Sequence, residues 1–196
     1  MRRNSVSRQP RGSTRSSRYW RKSRKTRICR TAGREYARLQ AELKAIDARL
    51  MAWHRANACS RRLAQIPGVG PIGATTLVMK TPDPHAFPSG RHFAAWLGLT
   101  PKDHSTAGKT RLGKITRAGD EVLRSLLVAG ATAVIQQVRN GRGRPSPWLI
   151  ALLKRKPPKL AAVALANKIA RIAWKLLVTG ESYHAGGKPI ASAHAA

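Results

Sequence analysis

Apolar residues recur at alternating spacings of three and four from residue 34 onward: Tyr36, Leu39, Leu43, Ile46, Leu50 and Trp53. That spacing puts all of them on one stripe of a helix, with Arg38, Glu42, Lys44 and Arg49 off it. The stripe is as narrow as a coiled-coil seam and predicts a long amphipathic helix over 34–64. Two readings fit it. The seam pairs with a second chain, which makes a dimer, or it packs on the protein's own domain.

Farther along, the helical pattern is cut by short, well-marked breaks. Pro71 suits the first turn of a short helix through Leu77 and Val78. Pro82, Pro84 and Pro88 make 81–89 a loop, after which Ser89 caps a helix through Phe93, Trp96 and Leu97 that Gly98 stops. Residues 100–119 are polar, Gly-rich and basic without a sustained period, and read as a loop. Asp120 and Glu121 head a long helix, where acids favour the dipole, and Leu123, Leu127, Val134 and Val138 mark its buried face. Ser146 and Pro147 start another helix that Pro157 and Pro158 end; the last runs from about Leu160 to Val178, with Gly180 beyond it. Strand-like alternation is absent. The expected fold class is all-α: a coiled-coil-like helix leading into a helical domain over 65–183.

Charge changes this picture at both ends. The chain carries 38 Lys and Arg against 8 Asp and Glu, a formal charge of +30. A compact fold with that surplus repels itself unless an anion offsets it, and nucleic acid does so with release of condensed counterions. Ribosomal and nucleoid proteins share the property, so charge points to nucleic acid without saying which. Residues 1–33 hold Arg2, Arg3, Arg8, Arg11, Arg15, Arg18 and further cations without one acid, and too few apolar residues for a core face. They read as a disordered basic arm, and 184–196 as a disordered tail. A transit peptide, or an extension from a misplaced start codon or truncated gene, would have the same composition as the arm. Cys29 and Cys59 lack paired spacing and a histidine pattern, which argues against a zinc site or disulfide framework and fits a reducing cytoplasm. The best apolar run is interrupted by Lys168, Arg171 and Lys175, so no membrane span is expected.

Two segments carry candidate chemistry. Ile66-Pro67-Gly68-Val69-Gly70-Pro71-Ile72-Gly73-Ala74 has the pattern of a helix-hairpin-helix. Gly68 and Gly70 permit a tight turn whose amides, with the start of the next helix, can face a phosphate oxygen. Such a contact positions DNA without reading its sequence. A plain turn between two core helices is the alternative, and the flanking Arg61 and Arg62 weigh towards DNA. The second segment, Lys102 to Lys114, lacks core residues and is rich in groups that suit a phosphodiester. Lys109, Arg111, Lys114 and Arg117 can hold a phosphate that Ser105 attacks. A serine hydroxyl needs a base or a charge clamp for that; His104 is adjacent, but neighbours in a loop need not point the same way. A solvated loop that touches phosphate is the plainer reading. Gly108-Lys109-Thr110 echoes the end of a P-loop, yet Asp103 stands where its first glycine belongs and no strand precedes it, which excludes that motif.

Taken in order, the hairpin at 66–71, Phe93-Ala94-Ala95-Trp96-Leu97-Gly98-Leu99-Thr100-Pro101, and His104-Ser105-Thr106-Ala107-Gly108-Lys109 resemble one family, the insertion-sequence transposases often written IS-one-ten, whose recombinases use a bridge RNA. Gly119 to Leu127 and the helix from Val163 to Leu177 resemble its C-terminal transposase domain, and the likeness covers about residues 35 to 183. The resemblance implies DNA transposition through a covalent phosphoserine, with the nucleophile on Ser105 rather than its neighbour Thr106. Implied partners are DNA, a guide RNA, and a second copy or an intact transposase. The family also carries an N-terminal RuvC-like domain whose four carboxylates hold magnesium beside the serine. Glu35, Glu42 and Asp47 lie along a helix and match no such cluster. The expectation is therefore a chain with no metal ligands or cofactor of its own, unable to complete strand exchange alone. Competing readings are a non-enzymatic helix-hairpin-helix DNA-binding protein and, on charge alone, an RNA-binding structural protein.

Overall fold

The computed structural model describes residues 14–106, 109, 111–143 and 145–184, with side chains from residue 31 onward. The chain divides into two units between Arg49 and Leu50. That division falls inside the first helix, α1 (Thr14–Ala56). It starts far ahead of residue 34, where the apolar stripe begins, and takes in 14–33, which composition reads as a disordered arm. Arg and Lys are good helix formers, and neither Pro nor Gly occurs between Thr14 and Ala32. Local propensity thus extends the helix where no core-facing period exists. Residues 1–13 of the expected arm and 185–196 of the expected tail lie outside the described residues.

At its other end α1 stops earlier than the stripe implies. Asn57 is extended, at φ −91° and ψ 112°, and its side chain accepts from the Ser60 N–H at 2.8 Å. A short polar side chain that caps in this way competes with the helical backbone, so α2 (Ala58–Leu63) begins afresh. Along α1, Tyr36, Leu39, Leu43 and Ile46 remain 64%, 47%, 60% and 50% exposed, whereas Leu50 and Trp53 are half-buried.

The second unit is helical and built around its last element. Its helices are α2, α3 (Pro71–Lys80), α4 (Gly90–Trp96), α5 (Glu121–Arg139), α6 (Pro147–Arg155) and α7 (Pro158–Thr179). Helix α7 buries Ala161, Ala162, Leu165, Ala166, Ile169, Ala170, Ala173 and Leu176. Small side chains at so many of these positions let α7 lie close to α2, α4, α5 and α6 at once. It ends where Gly180 turns left-handed at φ 69°. Helix α5 buries Leu123, Leu127, Ala131 and Ile135, with Val134 and Val138 at the margin of the core. Caps fall largely where expected: the Asp120 carboxylate accepts from the Leu123 N–H, and the Ser146 hydroxyl from the Leu149 N–H. Ser89 precedes α4, but its hydroxyl meets His92 Nδ1 at 2.8 Å instead of capping. The 81–89 loop is pinned to the body by Trp174 Nε1, which donates to the Pro84 carbonyl at 2.9 Å, and by Phe87 set edge-on to Phe93.

One segment departs from the all-helical pattern. Residues 100–119, read as a loop, contain β1 (Pro101–Asp103) and β2 (Leu112–Ile115), paired antiparallel with Pro101 opposite Ile115 and Asp103 opposite Leu112. The strands are almost wholly exposed, so no buried face enforces an alternating pattern. Backbone pairing alone defines them. Among the described residues the rest is helix and connecting turn, and no helix is long and apolar enough to cross a membrane.

Candidate nucleic-acid interface

The β-hairpin stands on a rigid root. At Gly98 (φ 70°) a Cβ would lie 2.1 Å from the Ala118 carbonyl oxygen, and at Gly119 (φ 78°) one would lie 1.8 Å from that of Trp96. The two flanks therefore touch backbone to backbone, and only glycine fits at either place. Arg124 of α5 locks them further, its guanidinium donating to the Leu97 carbonyl at 3.3 Å and the Ala118 carbonyl at 3.1 Å. Asn167 of α7 holds the Leu99 carbonyl at 3.2 Å, and the Thr116 N–H donates to the Thr100 carbonyl at 2.9 Å. Arg117 sits in this root at φ 57°, a left-handed conformation that costs a non-glycine residue about 1–3 kcal/mol. Just beyond, Lys80 Nζ meets Asp120 at 2.7 Å. That bond, and then the Leu123 N–H, hold the Asp120 carboxyl below its usual range.

At the far end of the hairpin the backbone organises Ser105. Its N–H donates to Asp103 Oδ1 at 2.8 Å, and its hydroxyl oxygen accepts the Arg111 N–H at 3.0 Å. The neighbouring rungs are His104 N–H to the Arg111 carbonyl at 2.8 Å and Lys109 N–H to the Thr106 carbonyl at 3.0 Å. Ser105 is exposed, and so are Lys109, Arg111, Lys114 and Arg117. The hairpin therefore carries the hydroxyl together with Lys109, Arg111 and Lys114, and Arg117 stands at its root.

His104 is the titratable side chain nearest to Ser105 in sequence, yet its ring lies elsewhere. A Cβ on Gly113 would meet His104 Cδ2 at 3.0 Å and Nε2 at 3.1 Å, so the imidazole covers that glycine on the opposite strand. The side chain that does engage Ser105 is Asp103, which motif reasoning passed over. The Ser105 hydroxyl first, and then its backbone N–H, hold the Asp103 carboxyl below the usual carboxylate range, with His104 adding a weak attraction. Its signal in sequence was only a spacing of two, the reach of an Asx turn.

The second candidate segment is the turn between α2 and α3. Gly68 is left-handed at φ 90°, and a Cβ there would lie 3.0 Å from the Gly130 carbonyl oxygen. Conversely, a Cβ on Gly130 would lie 1.8 Å from the Gly68 carbonyl oxygen. Glycine at 68 is thus required by contact with α5. Gly70 differs: it is extended at φ −81° with nothing within 4 Å of a Cβ, and it precedes α3 without any side-chain cap. Exposed Arg61 flanks the turn, but Arg62 turns inward, donating to the Gly180 carbonyl at the end of α7.

Metal-ligating groups do not gather in the same way. All eight carboxylates of the chain fall at described positions, and among the described residues no three His, Cys, Asp or Glu side chains come together. No such group forms around Asp103 and Ser105 among the described residues, so these residues do not fit a magnesium site.

Comparison with known proteins places this body. Residues 60–144, which run from α2 through the hairpin to just past α5, match the family described as "Transposase IS116/IS110/IS902 family". The Sinorhizobium fredii protein y4pF/y4sB, named as a transposase, is 69% identical over 152 residues, 77% of this chain and 39% of that relative. The transposase for insertion sequence element IS1111A of Coxiella burnetii is 39% identical over 147 residues, 75% of this chain and 38% of the relative. That for IS1328 of Yersinia enterocolitica is 41% identical over 121 residues, 62% of this chain and 36% of the relative. The similarity to the IS116/IS110/IS902 transposase family is carried by residues 60–144. The chain spans less than half the length of the curated relatives it matches.

Proposed function

We propose that this chain is a DNA-binding transposase domain in which Ser105 attacks a DNA phosphodiester and becomes covalently joined to it. The observation that carries the reading is the placing of an exposed, doubly hydrogen-bonded serine on a β-hairpin that also bears Lys109, Arg111 and Lys114, with Arg117 at its root. A two-stranded ribbon fits a DNA groove, and cations along it pair with phosphates. Exposed Gly70, with the uncapped start of α3, adds a second phosphate contact of the helix-hairpin-helix kind, while Gly68 sets the turn against α5. The transposase names of the relatives support the same partner. A guide RNA and a second copy of the chain are further partners in this reading, the latter through the exposed stripe of α1.

Magnesium has no place among the described residues, so the domain works beside carboxylates supplied from elsewhere, for example by an intact transposase copy. The chain alone is then a binder that does not complete strand exchange. Supercoiled plasmid incubated with the chain and magnesium should stay uncut, while a mixture with an intact relative should yield protein–DNA adducts. Mass spectrometry would identify the protein in each adduct. In that mixture Ser105→Ala should remove the adducts of this chain and leave its DNA affinity within about twofold. Adducts of this chain that persist in Ser105→Ala would sink the nucleophile; nicking by the chain alone would sink the requirement for a partner.

A non-enzymatic DNA-binding module is the competing function. It predicts the same affinity but no adduct of this chain under any mixture.

A further inference from the structure

We propose that the corner between α6 and α7 is a further contact for duplex DNA, made by Lys154, Arg155, Lys156 and Lys159, an assignment that rests on the reading of the chain as a DNA binder. All four residues are exposed. Four cations in six residues is a density that no other stretch of 50–184 reaches. Nothing nearby in sequence offsets it, since residues 122–180 contain no Asp or Glu. Folding brings no acid to it either. Among the described residues the ion pairs use Arg38, Lys80 and Lys175, and none of the four corner cations. Arg155 Nε donates to the Ala151 carbonyl of its own helix at 3.3 Å.

Helix electrostatics account for half of the cluster. Lys154 and Arg155 lie in the last turn of α6, where cations suit the dipole. Lys156 lies past that helix, on extended backbone at φ −130° and ψ 144°. Lys159 is in the first turn of α7, where a cation opposes the dipole and no acid answers it. A position that breaks a local rule without a compensating contact points to a role outside the fold. The chemistry that fits is a row of phosphates, since crowded cations repel one another until an anion lies across them. Placement favours duplex DNA among polyanions. Lys159, Val163 and Asn167 follow at intervals of four along α7, so they share a face. Asn167 holds the Leu99 carbonyl at the hairpin root. Two such intervals put the corner about 12 Å from that root along the helix axis, close to the width of a DNA major groove. With the hairpin in the groove, the corner meets the strand that borders it.

The test is binding of the full chain to one labelled DNA duplex at several salt concentrations. Lys156→Ala with Lys159→Ala should flatten the slope of log affinity against log salt by about 2, at ~0.9 for each phosphate. Arg91→Ala with Arg171→Ala removes the same charge from exposed positions where α4 meets α7, and should change the slope by less than about 0.5. Lys159→Glu separates binding from folding. It should weaken binding while the melting temperature holds or rises, because an acid suits a helix start. Equal slope changes in the two double variants would overturn the corner as a distinct surface, as would no change in either. So would a lower melting temperature in Lys159→Glu, which would show that the lysine serves its own fold. A larger loss on a labelled RNA duplex than on DNA would give the surface to RNA and overturn the assignment. An unaltered chain that binds no duplex would end the DNA-binding reading itself, whereas binding whose slope ignores the corner ends only this inference.

Discussion

Gly68 and Gly130 show how much one missing Cβ can decide. They face each other across the packing of α5 on the turn after α2, and the closest approach that a Cβ at 130 would make is 1.8 Å. Neither backbone can give way alone, because Gly68 lies between the buried Ile66 and Val69 and Gly130 lies inside α5. Overpacking of this kind costs about 1–3 kcal/mol. Gly130→Ala should therefore lower the melting temperature by roughly 2–12 °C, reading each kcal/mol as ~2–4 °C for a chain of this size. Gly70→Ala is the control. At φ −81° in open space it should melt within a degree or two of the unaltered chain. Equal losses from the two variants would show that the turn, rather than its contact with α5, is what needs glycine.

Elements were legible from sequence wherever a boundary had its own chemistry. Pro71, Ser146 with Pro147, Asp120 and Gly180 each mark an end that the backbone respects, because each satisfies or removes a terminal amide or carbonyl locally. The hairpin escaped notice since its strands bury nothing, and a strand without a buried face has no period to read. For the site, the serine and its cations could be picked out by type. That Asp103 accepts the Ser105 N–H while His104 covers Gly113 could not, because it depends on which side of a two-stranded ribbon each side chain takes. Helix α1 is the remaining case. Its stripe was evident, and the structure leaves Tyr36, Leu39, Leu43 and Ile46 exposed. If that stripe pairs two copies, Leu39→Lys with Leu43→Lys should convert a concentration-dependent dimer into a monomer in sedimentation measurements. The melting of the 50–184 body should be unchanged. A monomer before substitution would refute the pairing.

For the molecule as a whole, the question is where a charge of +30 acts. Cations spread evenly would bind any polyanion weakly, and no single group would matter. The hairpin argues otherwise. Arg111 and Lys114 stand on a ribbon whose root, with Arg117, is held by Gly98, Gly119 and Arg124, and Lys109 pairs with Thr106 at its far end. Cations on a fixed frame lose less freedom when they meet phosphates than cations on a loose segment. Each phosphate neutralised adds ~0.9 to the slope of log affinity against log salt. Replacing Lys109, Arg111, Lys114 and Arg117 together by Ala should then flatten that slope by about 3 to 4, if all four contact phosphate. Removing four arginines from 2–15 instead should flatten it by less, if the hairpin makes the main phosphate contacts. The comparison is made by fluorescence anisotropy on one labelled duplex at several salt concentrations. Equal slopes for the two quadruple variants would mean that the ribbon is no more than another part of a diffuse positive surface. The serine it carries would then have no strand held against it.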